Sequence, residues 1–227
     1  MAQIYKVKTN NHNDPRFIHL DQKLLHPPFF ICIVAPPKSG KSNLLVNIIY
    51  NLYHKCFDNI IYISPNVYND DTLEKSVTAD DDIIKYDLSE ESIDEILDKV
   101  SVLCKEMKKN DQLEHTLIII DDCLGMIKTK ALDKIASKYR HFNISIIISI
   151  QVFRAMTNTV RSCATQFIIF KNNNTKEVNK MEEEFSGAFP DFLNLYHEAT
   201  NEKYNFLTLD FRNMRALRNF DTILWQK

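Results

Sequence analysis

Phe29-Phe-Ile-Cys-Ile-Val-Ala-Pro-Pro-Lys-Ser-Gly-Lys-Ser42, running on into Asn43-Leu-Leu-Val-Asn-Ile-Ile-Tyr-Asn-Leu52, decides the fold. Its first six residues are apolar throughout, as in a strand buried on both faces. After Ser42, residues Leu44, Leu45, Ile48, Ile49 and Leu52 recur at the spacing of one helix face. Between them, Ala35-Pro-Pro-Lys-Ser-Gly-Lys-Ser42 follows the pattern G-x-x-x-x-G-K-[ST], with Ala35 in place of the first glycine. A strand, this loop and then a helix is the context in which the pattern binds phosphate. Amides of roughly Lys38 to Ser42 point inward and cradle phosphate oxygens. The helix start adds its positive end. Lys41 is expected to reach the β- and γ-phosphates, and the Ser42 hydroxyl to ligate Mg²⁺. Pro36 and Pro37 lack amides, but they fall early in the loop, where few donors are needed. Ala35 is compatible with the loop if its φ is negative. The segment Ala35, Pro36, Pro37, Lys38, Ser39, Gly40, Lys41, Ser42 and Asn43 is thus read as the nucleotide-binding loop for ATP and Mg²⁺.

Working outward, the same alternation repeats. Asn59–Ser64, Thr116–Asp121, Ile144–Ile150 and Gln166–Phe170 are apolar runs of strand length, and Ile83–Tyr86 is a shorter one. Ser42–His54, Ser92–Lys108, Ala131–Tyr139 and Phe153–Cys163 read as helices, with Ser92 and Glu95 set to form a capping box. Strands apolar on both faces, separated by helices, imply a mostly parallel sheet covered on each side. Helices at Lys176–Phe185 and from Pro190 through Leu195 follow. Strand-like Tyr204–Phe211 and an arginine-bearing tail come last. Asn66–Asp82 is an acidic surface loop. Residues 1–27 form an N-terminal arm that ends at Pro27-Pro28. Residues 28–227 form one domain, with a small α+β elaboration from about residue 172.

Composition agrees with one sizeable domain. The chain has 227 residues, 44% hydrophobic and 26% charged, which excludes a disordered chain. Its formal net charge is −2, which excludes a uniformly basic nucleic-acid coat but not a local basic patch. Five cysteines with no C-x-x-C pair indicate neither a disulfide framework nor a zinc ribbon, so a reducing compartment is expected. No apolar run nears the roughly 20 residues of a membrane span, and a soluble protein is expected. Glycine occurs only three times, at positions 40, 125 and 187, so each is expected to mark a backbone position that needs it.

Chemistry gathers at strand ends. Leu117-Ile-Ile-Ile-Asp-Asp122 puts two carboxylates at the end of a buried strand, and parallel sheets bind ligands at that edge. Asp121 is placed to hold Mg²⁺ together with Ser42, and Asp122 to orient or deprotonate the attacking water. The alternative for either is a cap on the turn at Cys123–Gly125. Gln151 follows the strand Ile144–Ile150, where an amide is expected to sense the γ-phosphate and help align water, or else to cap a helix start. Arg140, beside His141, lies at the other end of that strand. Seven residues at about 3.3 Å each keep it more than ~20 Å from its own nucleotide. It would serve a neighbouring subunit as an arginine finger, or pair with a surface acid. Arg161 is the second finger candidate. The cluster Arg212–Arg218 is either a contact for DNA phosphates or an acid-paired surface.

Taken together, Ala35–Ser42, Ile118–Asp122, Arg140–Gln151 and Arg161–Phe170 resemble the poxvirus-type genome-packaging ATPases of large DNA viruses and virophages, in the FtsK–HerA group. Tyr196 and Tyr204–Leu207 add a less specific likeness. The resemblance spans roughly residues 28 to 210, and the arm lies outside it. It implies an α/β P-loop NTPase, a three-layer sandwich of the additional-strand, RecA-like type. It also implies an ATP-hydrolysing motor working as a homo-oligomeric ring. That motor would move double-stranded DNA, without sequence preference, into a preformed capsid. Its partner would be the capsid protein of the packaging vertex, in the virion or the infected host's cytoplasm. Two other readings compete. One is a nucleoside or nucleotide kinase whose lid carries Arg212, Arg215 and Arg218. The other is a scaffold that binds ATP only to assemble.

Overall fold

Phe30 to Val34 are buried at every position, which requires cover on both faces of the strand they form. A computed structural model describes residues 14–68, 83–88, 91–109, 114–123 and 129–227 and supplies that cover. Six strands are mutually parallel: β1 (Phe30–Val34), β2 (Asn59–Ser64), β3 (Ile83–Asp87), β4 (Thr116–Asp121), β5 (Ile144–Ile150) and β6 (Gln166–Phe170). Three more, β7 (Phe206–Asp210), β8 (Arg215–Arg218) and β9 (Thr222–Gln226), extend the sheet in antiparallel pairs. The order across the sheet is β3-β2-β4-β5-β1-β6-β7-β8-β9. β5 is therefore inserted between the loop-bearing β1 and the acidic β4, as the additional-strand class requires.

Alternation along each strand divides the core in two. Phe30, Cys32 and Val34 face one layer, built by α2 (Ile93–Lys109), α3 (Lys130–Lys138), α4 (Asn158–Cys163), α5 (Thr175–Phe185) and α6 (Phe192–Ala199). Phe29, Ile31 and Ile33 face the other, built by α1 (Lys41–Asn47), its π-helical continuation Ile48–Leu52, and the segment from residue 14. Each large apolar side chain buried this way contributes roughly 1.5–3 kcal/mol. These two cores therefore fix the strand ends that carry the chemistry.

The expected capping box opens α2: Ser92 N donates to Glu95 Oε2 at 2.9 Å and Glu95 N donates to Ser92 Oγ at 3.3 Å. The helix expected over Phe153–Cys163 is divided. A 3₁₀ turn at Phe153–Ala155 ends in extended Met156, and Thr157 restarts the chain as α4 by accepting from Val160 N at 3.2 Å. Residues 14–27, read as an arm, pack onto the domain through Phe17, Leu24 and Leu25. Residues 1–13, most of the 66–82 loop and Gly125 lie outside the described residues. Gly187 has open space where a Cβ would be and no positive φ, so nothing there requires glycine.

The arginine-bearing tail is the largest departure from the sequence reading. It forms two strands, and its arginines are engaged by partners within the chain, Arg215 buried and Arg212 at the surface. Arg212 donates to the carbonyls of His26 and Pro28, both at 2.7 Å. Arg215 is buried against Asp210, Nε to Oδ2 at 2.8 Å, and donates to the carbonyls of Gln22 and Lys23. Arg218 pairs with Glu198 at 3.3 Å. The first two pin the N-terminal segment to the sheet. Removing one partner of a buried pair strands the other charge. Arg215→Ala is accordingly expected to lose about 3–5 kcal/mol in urea unfolding. Unchanged stability together with lost DNA affinity would instead put Arg215 at a DNA surface.

Candidate active site

Three adjacent strand ends build the site, and their register makes it. Val34 pairs with Ile150, and Ala35 N donates to Ile150 O at 2.9 Å, which sets the phosphate loop beside Gln151. Asp121 pairs with Ser149 on the other side of β5. The loop after β1, the acids after β4 and the amide after β5 therefore share one sheet edge.

Within the loop, Lys38 at φ +61° and Gly40 at φ +99° are left-handed. Such alternation turns successive amides toward one concavity, the anion nest that the sequence pattern implies. Gly40 is doubly required, because a Cβ there would also sit 3.2 Å from Tyr204 Cδ1. Ala35 is not among the left-handed residues, so the absent first glycine does not strain the backbone.

Lys41 Nζ lies 2.9 Å from Asp121 Oδ1 and 2.9 Å from Asp122 Oδ2. Asp121 Oδ2 accepts from the Tyr62 hydroxyl at 2.9 Å, and Asp122 Oδ1 accepts from Gln151 Nε2 at 3.0 Å. Burial pushes the Lys41 ammonium down, but the two carboxylates outweigh it and hold its pKa above the ordinary lysine value. Burial pushes the Asp122 carboxyl up, but hydrogen bonds from Lys41 and Gln151 outweigh it and hold its pKa low. Asp122 takes φ +55°, a conformation that carboxylate residues tolerate better than most.

The donor set suits Mg²⁺. Among the described residues Asp121 Oδ1 is buried with no hydrogen-bond donor beyond the Lys41 ammonium, and Ser42 follows Lys41 in the chain. Both supply hard oxygens, which Mg²⁺ prefers. No group of three or more His, Cys, Asp or Glu able to hold a metal occurs among the described residues. Such an ion would therefore take most of its ligands from phosphate and water, its usual mode.

Around these residues opens a cleft of about 820 Å³, lined by Ala35–Lys38, Gly40–Leu44, Asn47, Leu52, Asp122, Gln151, Phe170, Tyr204, Phe206 and Phe220. Ser39 sits in the loop with its hydroxyl buried and without a hydrogen-bond partner among the described residues. Neither arginine lies in this cleft. Arg140 is exposed at the opposite end of β5, its Nε donating to the Tyr139 hydroxyl at 3.0 Å. Arg161 is held by Met156 O at 2.9 Å and Asn158 Oδ1 at 2.5 Å, faces Glu184 at 3.4 Å, and its side chain is only 13% exposed.

Sequence reasoning missed Tyr62 and the aromatic wall. Tyr62 sits in an isoleucine-rich strand and looks like core, although a lone hydroxyl near an acidic strand end was a usable signal. The wall comes from positions 52, 170, 204, 206 and 220, which no local pattern connects.

The family model described as Poxvirus A32 protein matches residues 16–207. Uncharacterized protein 015R of Frog virus 3 (isolate Goorha) is 24% identical over 202 residues. The match covers 87% of this chain and 61% of that protein, so the chain spans under two thirds of this curated relative's length. Two solved structures share the fold. The genome packaging NTPase B204 from Sulfolobus turreted icosahedral virus 2, in complex with ATP-gammaS, is 21% identical with TM-score 0.60. That match covers 88% of this chain and 100% of B204. B204 from Sulfolobus Turreted Icosahedral Virus, described as a DNA-packaging ATPase, is 20% identical with TM-score 0.65, over 86% of this chain and 98% of that one.

The charge triad gives stability a defined pH dependence. Asp122 has a depressed folded pKa, so its contribution is present above its unfolded pKa and is lost as pH falls through the folded value. Lys41 has a raised folded pKa, so its contribution holds below about pH 10.4 and is lost above it. Lys41→Ala is expected to cost about 3 kcal/mol at pH 7, the low end for a buried pair losing one partner. That gap should narrow below about pH 4 as the stranded Asp122 carboxylate protonates. Urea unfolding of both proteins at pH 7 and pH 3 measures it, and an equal gap at both would contradict the triad.

Proposed function

The chain belongs to the Poxvirus A32 protein family, and from that premise we propose that it is an ATP-hydrolysing motor that moves double-stranded viral DNA into a preformed capsid. The observation that carries this reading is the Lys41 ammonium held between Asp121 and Asp122 at the mouth of a phosphate-binding loop. Arg212 is tied to the carbonyls of His26 and Pro28 and Arg215 is buried against Asp210, so the arginines that favoured a kinase lid are already engaged within the chain.

In this reading Lys41 leaves the carboxylates for the β- and γ-phosphates when nucleotide arrives. Asp121 Oδ1 is thereby freed, and with Ser42 it would hold Mg²⁺, which neutralises phosphate charge. Tyr62 keeps its hydrogen bond and fixes the Asp121 carboxylate. The move also removes the cation that lowers the Asp122 pKa. Asp122 therefore becomes a stronger base as the substrate binds. Water oxygen attacks the γ-phosphorus, its proton passes to Asp122, and the bond to the ADP oxygen breaks. Gln151, already bonded to Asp122, orients that water against the γ-phosphate.

Among the described residues no arginine lines this cleft, which supports a ring whose sites are completed by a neighbour. Arg140 is the stronger finger candidate: it is exposed and bonded only locally, whereas Arg161 would have to break several contacts. A finger supplied in trans contributes about 10³–10⁵ in rate where measured. DNA would be gripped through phosphates alone. The capsid protein of the packaging vertex is the proposed docking partner, in the virion or the infected cell.

ATP hydrolysis with and without duplex DNA tests this. Duplexes of unrelated sequence are expected to stimulate alike, and the stimulation to fade between 50 and 200 mM salt, roughly the range over which phosphate contacts are lost. Stimulation by a nucleoside instead of DNA would contradict the motor. Mixing Arg140→Ala with Lys41→Ala, each inactive alone, is expected to recover hydrolysis at mixed interfaces. If mixed assemblies form and stay inactive, Arg140 is not the finger.

A further inference from the structure

We infer that the cleft does not read the base, so that this site accepts nucleoside triphosphates of all four bases; the inference rests on the nucleotide-binding reading given above. Beyond the phosphate loop the cleft is walled by Leu52, Phe170, Tyr204, Phe206 and Phe220. The rings form a continuous row: Phe170 and Phe206 lie 5.1 Å apart between centroids, and Phe206 and Phe220 5.2 Å apart. Tyr204 joins this row to the loop, since its ring edge abuts Gly40. A nucleotide whose phosphates lie in the nest therefore has its base directed onto aromatic surface.

Asn47 and the Phe206 backbone at that end are already paired. Asn47 donates to Asn43 O at 2.8 Å and Asn43 Oδ1 at 3.2 Å, and its own oxygen accepts from Asn51 at 2.7 Å. Phe206 N donates to Asn219 Oδ1 at 3.2 Å, and Phe206 O accepts from Asn219 N at 2.9 Å. The Tyr204 hydroxyl donates or accepts by rotating, so it selects no particular base edge. Every base has a π face, and stacking on aromatic side chains is sequence-tolerant. A site that hydrogen-bonds a substrate group rejects analogues lacking it by about 10⁴–10⁵, whereas an apolar pocket separates substrates far less.

Titration of the full chain with ATP, GTP, CTP, UTP and inorganic tripolyphosphate tests this. The four nucleotides are expected to bind within about thirtyfold of one another, inside the range of an apolar pocket. Phe220 is partly exposed, so Phe220→Ala is expected to fold. It should weaken all four by about tenfold, as loss of a stacking partner does, and leave tripolyphosphate affinity unchanged. ATP bound more than about thirtyfold tighter than GTP overturns base-blindness. Nucleotides that bind no better than tripolyphosphate, or a Phe220→Ala effect equal on tripolyphosphate, overturn the aromatic wall. Failure of wild type to bind any of the five would instead sink the phosphate-loop reading.

Discussion

One lysine between two carboxylates is the constraint on which the site depends. Lys41 belongs to the loop after β1, and Asp121 and Asp122 to the end of β4. With β5 between them, the two strands stand about 10 Å apart, twice the strand spacing. A long side chain is needed to bridge that distance. The triad carries one negative charge in excess, so it favours a cation beside any phosphate bound in the loop. Buried charges of this kind are tolerable only when paired, so the triad requires the strand order and register that bring Lys41 to both acids.

The rest of the chain holds that register. Two apolar cores grip the sheet from opposite faces. The antiparallel extension β7–β9 widens the sheet and wraps its arginines around the N-terminal segment, which covers the α1 face. The same extension returns Tyr204, Phe206 and Phe220 to the cleft beside the phosphate loop. One element therefore both holds the N-terminal segment and walls the cleft, which explains why a tail that reads as polar surface is built into the sheet.

Much of this was legible in the sequence where local chemistry determines structure. Strands such as Ile144–Ile150 announce themselves because cover on both faces requires apolar side chains at every position. Ser92 and Glu95 mark a helix start by capping each other, and the loop 35–42 carries its own backbone requirements. Legibility failed where distant residues decide. Arg215 reads as solvent-facing until Asp210 and the carbonyls of Gln22 and Lys23 surround it. The break at Met156 depends on Thr157 capping α4, and periodicity does not register that. Tyr62 reaches Asp121 only because β2 lies beside β4, which puts its hydroxyl on that carboxylate.

The central claim is that Lys41 exchanges carboxylate partners for phosphate ones. A crystal structure of the chain with a non-hydrolysable ATP analogue and Mg²⁺ tests it most directly. The account predicts Lys41 Nζ on the β- and γ-phosphates, away from Asp122, and Asp121 turned to the metal side with Tyr62 still bonded to it. A nucleotide bound in the loop while Lys41 remains between Asp121 and Asp122 would contradict it.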